Sequence, residues 1–124
     1  MCIICRKPFN VASEDIVCWK QLWKSSLFGF VYTPVMKRLV YPWVLSGKVP
    51  YRARGSEEYE VLEDYKYFVD GGFVYSYAKI ESVFSDDGVN VAYKCVIPKG
   101  TRYWVSEDGS TYASERLRFV RRVV

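Results

Sequence analysis

The sequence contains no histidine. That absence removes Ser-His-Asp and Cys-His nucleophile systems, a histidine general base and every histidine-ligated metal site. Catalysis would have to rest on carboxylates, lysine, tyrosine or substrate binding alone. No apolar run approaches the roughly 20 residues that a membrane-crossing helix needs. No glycine-rich phosphate loop is present, since Asp70-Gly71-Gly72 has the composition of a turn. Internal repeats and linker-like stretches are also missing. Met1 to Pro8 carries its charge after a short apolar run, the reverse of a secretory leader. The expectation is a cytoplasmic chain with reduced cysteines and no membrane partner.

The 124 residues suffice for one domain, 1–124, with one core. Half of them are apolar and 18% aromatic, which excludes disorder and favours strands over a helical bundle. The net charge of +4 is mild, so a nucleic-acid role would require the positive charge to be clustered.

The strongest local signal is Tyr93 to Val105. Two β-branched and aromatic runs flank Pro98-Lys99-Gly100. Proline ends a strand because it has no N–H to donate, and glycine accepts the positive φ of a tight turn. The expectation is a hairpin. Upstream, residues 1–13 read as a lead-in strand and turn, and Ile16 to Trp23 as a central strand. Ile16, Cys18, Lys20 and Leu22 share one of its faces and Val17, Trp19, Gln21 and Trp23 the other.

Leu27 to Tyr32 reads as a strand with a bulge at Gly29. Val35 to Leu45 has an ambiguous period, and Pro42 argues against a long helix, leaving an irregular or edge strand. Glu57 to Val69 fits a strand pair, or a helical turn followed by a strand. Phe73 to Ser76 is a short strand. Tyr77, Ile80, Val83 and Phe84 fall at helical spacing and predict one helix over 77–85. Glu115 to Val124 reads as the last strand. The fold class is therefore α+β, mainly antiparallel sheet with one short helix. The predicted core is Ile16, Cys18, Leu22, Phe73, Ile80, Phe84, Cys95, Ile97, Leu117 and Phe119.

Four cysteines raise the question of zinc. Cys2 and Cys5 have knuckle-like spacing, but Cys18 and Cys95 are separated by most of the chain, and cysteine is commonly a small core hydrophobe. No metal site and no redox pair is expected. At the other end, Arg116, Arg118, Arg121 and Arg122 alternate with Leu117 and Phe119. On a strand this places Arg116 and Arg118 on one face, either as a solvated surface or as an electrostatic strip for nucleic acid.

Several segments together resemble the ADP-ribosyltransferase toxin fold. Val17-Cys18-Trp19-Lys20 stands at the family's arginine strand. Gly72-Phe73-Val74-Tyr75-Ser76-Tyr77 stands at its Ser-Thr-Ser segment. Ile97-Pro98-Lys99-Gly100-Thr101 matches the family's motif as written, and Glu115-Arg116-Leu117 lies near its Glu-x-Leu strand. The resemblance implies an ADP-ribosyltransferase-like sheet and NAD as substrate. It also implies roles for Lys20 at the phosphates, Ser76 at the ribose strand and Glu115 as the catalytic carboxylate. The Ile-Pro-Lys-Gly-Thr strand is also similar to small proteins of Bacteroides-type bacteria and their phages, a likeness that implies a phage or mobile-element origin and no activity.

The primary expectation is a non-catalytic binding or interaction module with a protein partner and no cofactor. The alternatives are an NAD-using transferase-like enzyme and a nucleic-acid-binding module built on the C-terminal arginines.

Overall fold

A computed structural model of the chain describes residues 3–5, 9–24, 31–33, 38–53, 59–62, 66–69, 73–83 and 90–123. In chain order the elements are β1 (Ile3–Cys5), β2 (Asn10–Val11), β3 (Ile16–Lys24), β4 (Val31–Tyr32), β5 (Leu39–Val40) and α1 (Pro42–Leu45). They continue with β6 (Tyr51–Arg52), β7 (Tyr59–Leu62), β8 (Lys66–Val69), β9 (Val74–Tyr77) and a 3-10 turn at Ile80–Val83. The last four are β10 (Asn90–Ile97), β11 (Arg102–Val105), β12 (Thr111–Ser114) and β13 (Arg116–Arg122). All the pairings are antiparallel. Among the described residues no helix is long and apolar enough to cross a membrane.

A large sheet runs in the order β2-β11-β12-β9-β3-β10-β13-β6, with β4 and β5 attached beside β3, and β1-β8-β7 form a second, smaller sheet. β12 and β13 are separated in the chain only by Glu115, yet three strands lie between them in the sheet order. The sheet must therefore curl until the two ends of this run meet at Glu115. Its edge strands, β2 and β6, stay apart, so it remains open.

β10 and β11 both form, but they do not pair with each other. β10 lies between β3 and β13, and β11 lies between β12 and β2. The expected hairpin is thus a corner. Pro98 closes β10, Thr101 N donates to Pro98 O at 3.1 Å, and Gly100 takes φ 85°. The corner is tied to the preceding turn rather than folded back on itself. Gly100 N donates to Ala12 O at 2.8 Å, Ala12 N to Thr101 O at 3.0 Å, and Lys99 N to Asp15 Oδ1 at 2.9 Å.

β3 is the central strand its apolar faces predicted, flanked by β10 and β9. Cys18, Lys20 and Leu22 point inward, as the alternation requires. The Glu57–Val69 stretch resolves into the strand pair β7 and β8. The helical expectation over 77–85 is corrected: Tyr77 closes β9, and only Ile80–Val83 turns, as a single 3-10 segment. The α-helix lies instead at Pro42–Leu45, inside the stretch read as an irregular or edge strand, after the short β5. Pro42 starts the helix because the first helical residue has no intrahelical use for its N–H. β12 had no counterpart in the sequence reading.

The main core gathers Cys18, Leu22, Val74, Val91, Cys95, Ile97, Leu117 and Phe119 inside the curl. Tyr51 and Tyr93 meet the Phe119 ring edge-on at 6.3 and 5.4 Å. Ile16 and Ile80 are only half-buried, and Phe84 lies outside the described residues. A second cluster on the opposite side of the sheet packs Cys5, Phe73 and Ala113 around the fully buried Trp104.

Candidate functional site

Two places collect chemistry-bearing side chains. The first is inside the curl. Cys18 and Cys95 are directly opposed on β3 and β10, and Lys20 follows Cys18 on the same inward face. Lys20 is 7% exposed, and its Nζ donates to Tyr75 O at 2.5 Å. Burial disfavours the ammonium and holds the pKa of Lys20 down to about 8, only partly offset by Cys95 and Cys18. Burial likewise pushes the Cys18 thiol up to about 11, opposed by neighbouring Ser76, Lys20 and the Ile97 backbone. Burial and then Cys18 raise the Cys95 thiol. Ser76 Oγ is buried and its proximity lowers the Cys18 pKa, yet it makes no hydrogen bond of good geometry among the described residues. Lys20 and Ser76 thus share one buried polar cluster.

The second place is the corner. Arg52, Ala53, Phe73, Gly100, Thr101, Glu115 and Arg116 line a cavity of about 370 Å3. It forms because the Pro98–Thr101 corner adds residues to one arm of a bent ribbon and the opposite arm breaks at Glu115. The backbone ties the break to both neighbours: Glu115 N donates to Arg102 O at 3.1 Å, and Ala53 N to Glu115 O at 2.7 Å.

Arg52 and Arg116 stand directly opposite each other on β6 and β13. Like charges in that relation repel. The carboxylate in the cavity is engaged by a third arginine: Glu115 Oε1 accepts from Arg102 Nε at 2.6 Å, and among the described residues no ion pair joins Glu115 to Arg52 or Arg116. Arg102 in turn lies over the rings of Phe9 and Trp104, at 5.1 and 5.8 Å. Arg116 is held by its own contacts, with Nε donating to Thr101 Oγ1 at 2.7 Å and Nη2 to Lys99 O at 3.4 Å. A guanidinium fixed in this way keeps further N–H donors for a ligand.

The structure therefore divides the sequence candidates. Glu115 and Arg116 join Gly100 and Thr101 at the corner cavity, while Lys20 and Ser76 lie in the buried cluster, and neither of them lines that cavity. Arg118 and Arg121 are exposed on the outer face of β13, and Arg122 stands opposite Tyr93. Arg52 was missed in the sequence; only its cross-strand partner Arg116 gives it meaning. Cys2 lies outside the described residues, so the Cys2–Cys5 pairing has no structural description. Among the described residues no three His, Cys, Asp or Glu side chains cluster as metal ligands.

No family model, curated protein or solved structure matches the chain.

Proposed function

We propose that this chain is a non-catalytic binding module that holds a compact oxyanion, a phosphate or carboxylate group of its partner, in the corner cavity. The observation that carries this reading is the direct opposition of Arg52 and Arg116 at a cavity whose carboxylate is already bound to Arg102. Two cross-strand arginines that form no ion pair with a carboxylate among the described residues are relieved by an anion, and the planar fork of a guanidinium matches an oxyanion in two-point contact. Thr101 and Gly100 supply a hydroxyl and a close backbone approach on the same wall. Calorimetric titration with inorganic phosphate tests it. Saturable binding that weakens at least tenfold in Arg52→Gln/Arg116→Gln supports the reading, and no binding in the wild type refutes it.

The transferase-like alternative keeps one supporting observation: Glu115 and the Gly100-Thr101 part of the Ile-Pro-Lys-Gly-Thr motif line the same cavity. In that reading the fold is ADP-ribosyltransferase-like, NAD is the substrate, and Glu115 stabilises the positive charge developing on the ribose. Against it stand the burial of Lys20 and Ser76 and the engagement of Glu115 by Arg102. NAD turnover by the wild type that disappears in Glu115→Gln would replace the binding reading with this one.

A further inference from the structure

The outer face of the large sheet carries a pattern that the corner cavity does not use. Residues directly opposed on neighbouring strands point to the same side of a sheet. On the outward side one such row crosses four strands: Tyr77 on β9, Trp19 on β3, Lys94 on β10 and Arg121 on β13. A second row sets Val17 beside Val96 and Val96 beside Arg118. Two residues beyond Gln21 on the same strand and face, Trp23 stands opposite Tyr32.

A register shift makes the first row possible. Cys95 pairs with Phe119 and Lys94 with Arg121, so Val120 is the extra, unmatched residue. The shift keeps Phe119 inward and brings Arg121 outward beside Lys94. The sequence reading had grouped the four C-terminal arginines as one strip. The fold instead sends Arg116 to the corner and leaves Arg118 and Arg121 with Lys94.

The charge on this face is one-sided. The chain has 14 acidic residues, yet β3, β9, β10 and β13 contain none. Lys94 and Arg121 are like charges in direct opposition, an arrangement that destabilises a sheet unless an anion lies over it. Among the described residues no carboxylate pairs with Lys94, Arg118 or Arg121. Beside them lie the half-buried ring of Trp19 and the exposed ring of Trp23.

We infer that this outer face binds single-stranded nucleic acid. Its aromatic end offers faces for unpaired bases, and its cationic end takes the adjoining phosphates. Base stacking on such rings tolerates any sequence because every base has a π-face. The four-residue row spans about 14 Å at the usual spacing between strands, room for a short stretch of strand running across the sheet. A duplex hides its bases, so it can use the cations but not the rings. The face shares no residue with the corner cavity, so either can fail alone.

Fluorescence anisotropy with a labelled oligothymidylate tests this on the full chain. Three phosphate contacts predict that log affinity falls with log salt at a slope of about −2, roughly a twentyfold loss between about 50 and 200 mM. Lys94→Gln/Arg118→Gln/Arg121→Gln is expected to lose at least tenfold in affinity and to flatten the slope. Trp19→Leu keeps the cations, so it is expected to lose about tenfold while the slope stays. Should Trp19→Leu fail to fold by circular dichroism, Tyr77→Leu gives the same reading. A labelled duplex is expected to bind at least tenfold more weakly than the single strand. Absence of saturable binding at about 50 mM salt, an unchanged slope in the folded triple variant, or equal affinity for duplex and single strand would each overturn the inference.

Discussion

Cys18 and Cys95 stand directly opposite each other across β3 and β10, and neither exposes any surface. Burial raises both thiols, Cys18 to about 11, so the nucleophilic thiolate is scarce at neutral pH as well as inaccessible. An alkylating reagent at neutral pH is expected to leave both cysteines unmodified in the folded protein and to modify both in denaturant. Peptide mapping by mass spectrometry reads this directly. Rapid modification of either one under native conditions would mean that the curl opens at this point.

Lys20 gives a pH dependence with a definite sign. Its pKa is about 8 in the fold against 10.5 ordinarily, so between these values the unfolded chain binds more protons. Stability from this group therefore rises with pH across that window, and the penalty is fully present below it. The shift corresponds to about 3 kcal/mol. From about pH 9 the buried thiols act in the opposite sense, because the unfolded chain releases their protons first. Comparison with Lys20→Met cancels the thiol contribution. Urea unfolding is expected to show the variant gaining on the wild type at pH 7 and losing that advantage by pH 10. A gap independent of pH would contradict the burial of a titrating amine here.

Gly47 takes φ 83° just after α1, and a Cβ there would stand 2.7 Å from the backbone oxygen of Phe119. Backbone strain and overlap with β13 act together. Gly47→Ala is expected to cost at least about 2 kcal/mol. Gly109 also has positive φ but faces open space, so Gly109→Ala is expected to cost only about 1 kcal/mol, from φ alone. Thermal melts of both variants check the order, and equal losses would show that the contact with Phe119 is relieved by a small shift.

Local patterns were legible and long-range ones were not. The composition of Ile16–Trp23 marked the strand, its two mostly apolar faces marked its central place, and its period of two put Lys20 on one face with Cys18 and Leu22. Pro98 and Gly100 marked a true change of direction. Whether the flanking strands pair depends on partners distant in sequence: β10 finds β3, and β11 finds β12 and β2. Alternating burial on β13 was readable from Leu117 and Phe119. The parting of Arg116 from Arg118 and Arg121 was not, because it depends on β6 pairing with Arg116 at the corner and on the extra residue Val120, which turns Arg121 to the face of Arg118. Arg52 carried no signal of its own, being an ordinary charged residue in a turn-rich stretch until β6 sets it opposite Arg116.

Glu115→Gln separates the two readings of the corner. The ion pair it breaks is partly exposed, so the expected loss of stability is no more than about 1 kcal/mol. Losing a negative charge beside Arg116 is expected to tighten phosphate binding several-fold. The wild type is expected to show no NAD hydrolysis for the substitution to remove. Unchanged phosphate binding in a folded Glu115→Gln protein would place the anion away from Glu115.

A phosphate titration followed by amide chemical shifts tests most directly the proposal that an oxyanion sits between Arg52 and Arg116. The predicted result is saturable movement concentrated at Ala53, Gly100, Thr101 and Arg116, absent from Arg52→Gln/Arg116→Gln. Shifts scattered over the surface without saturation, or the same localised shifts in the double variant, would contradict it.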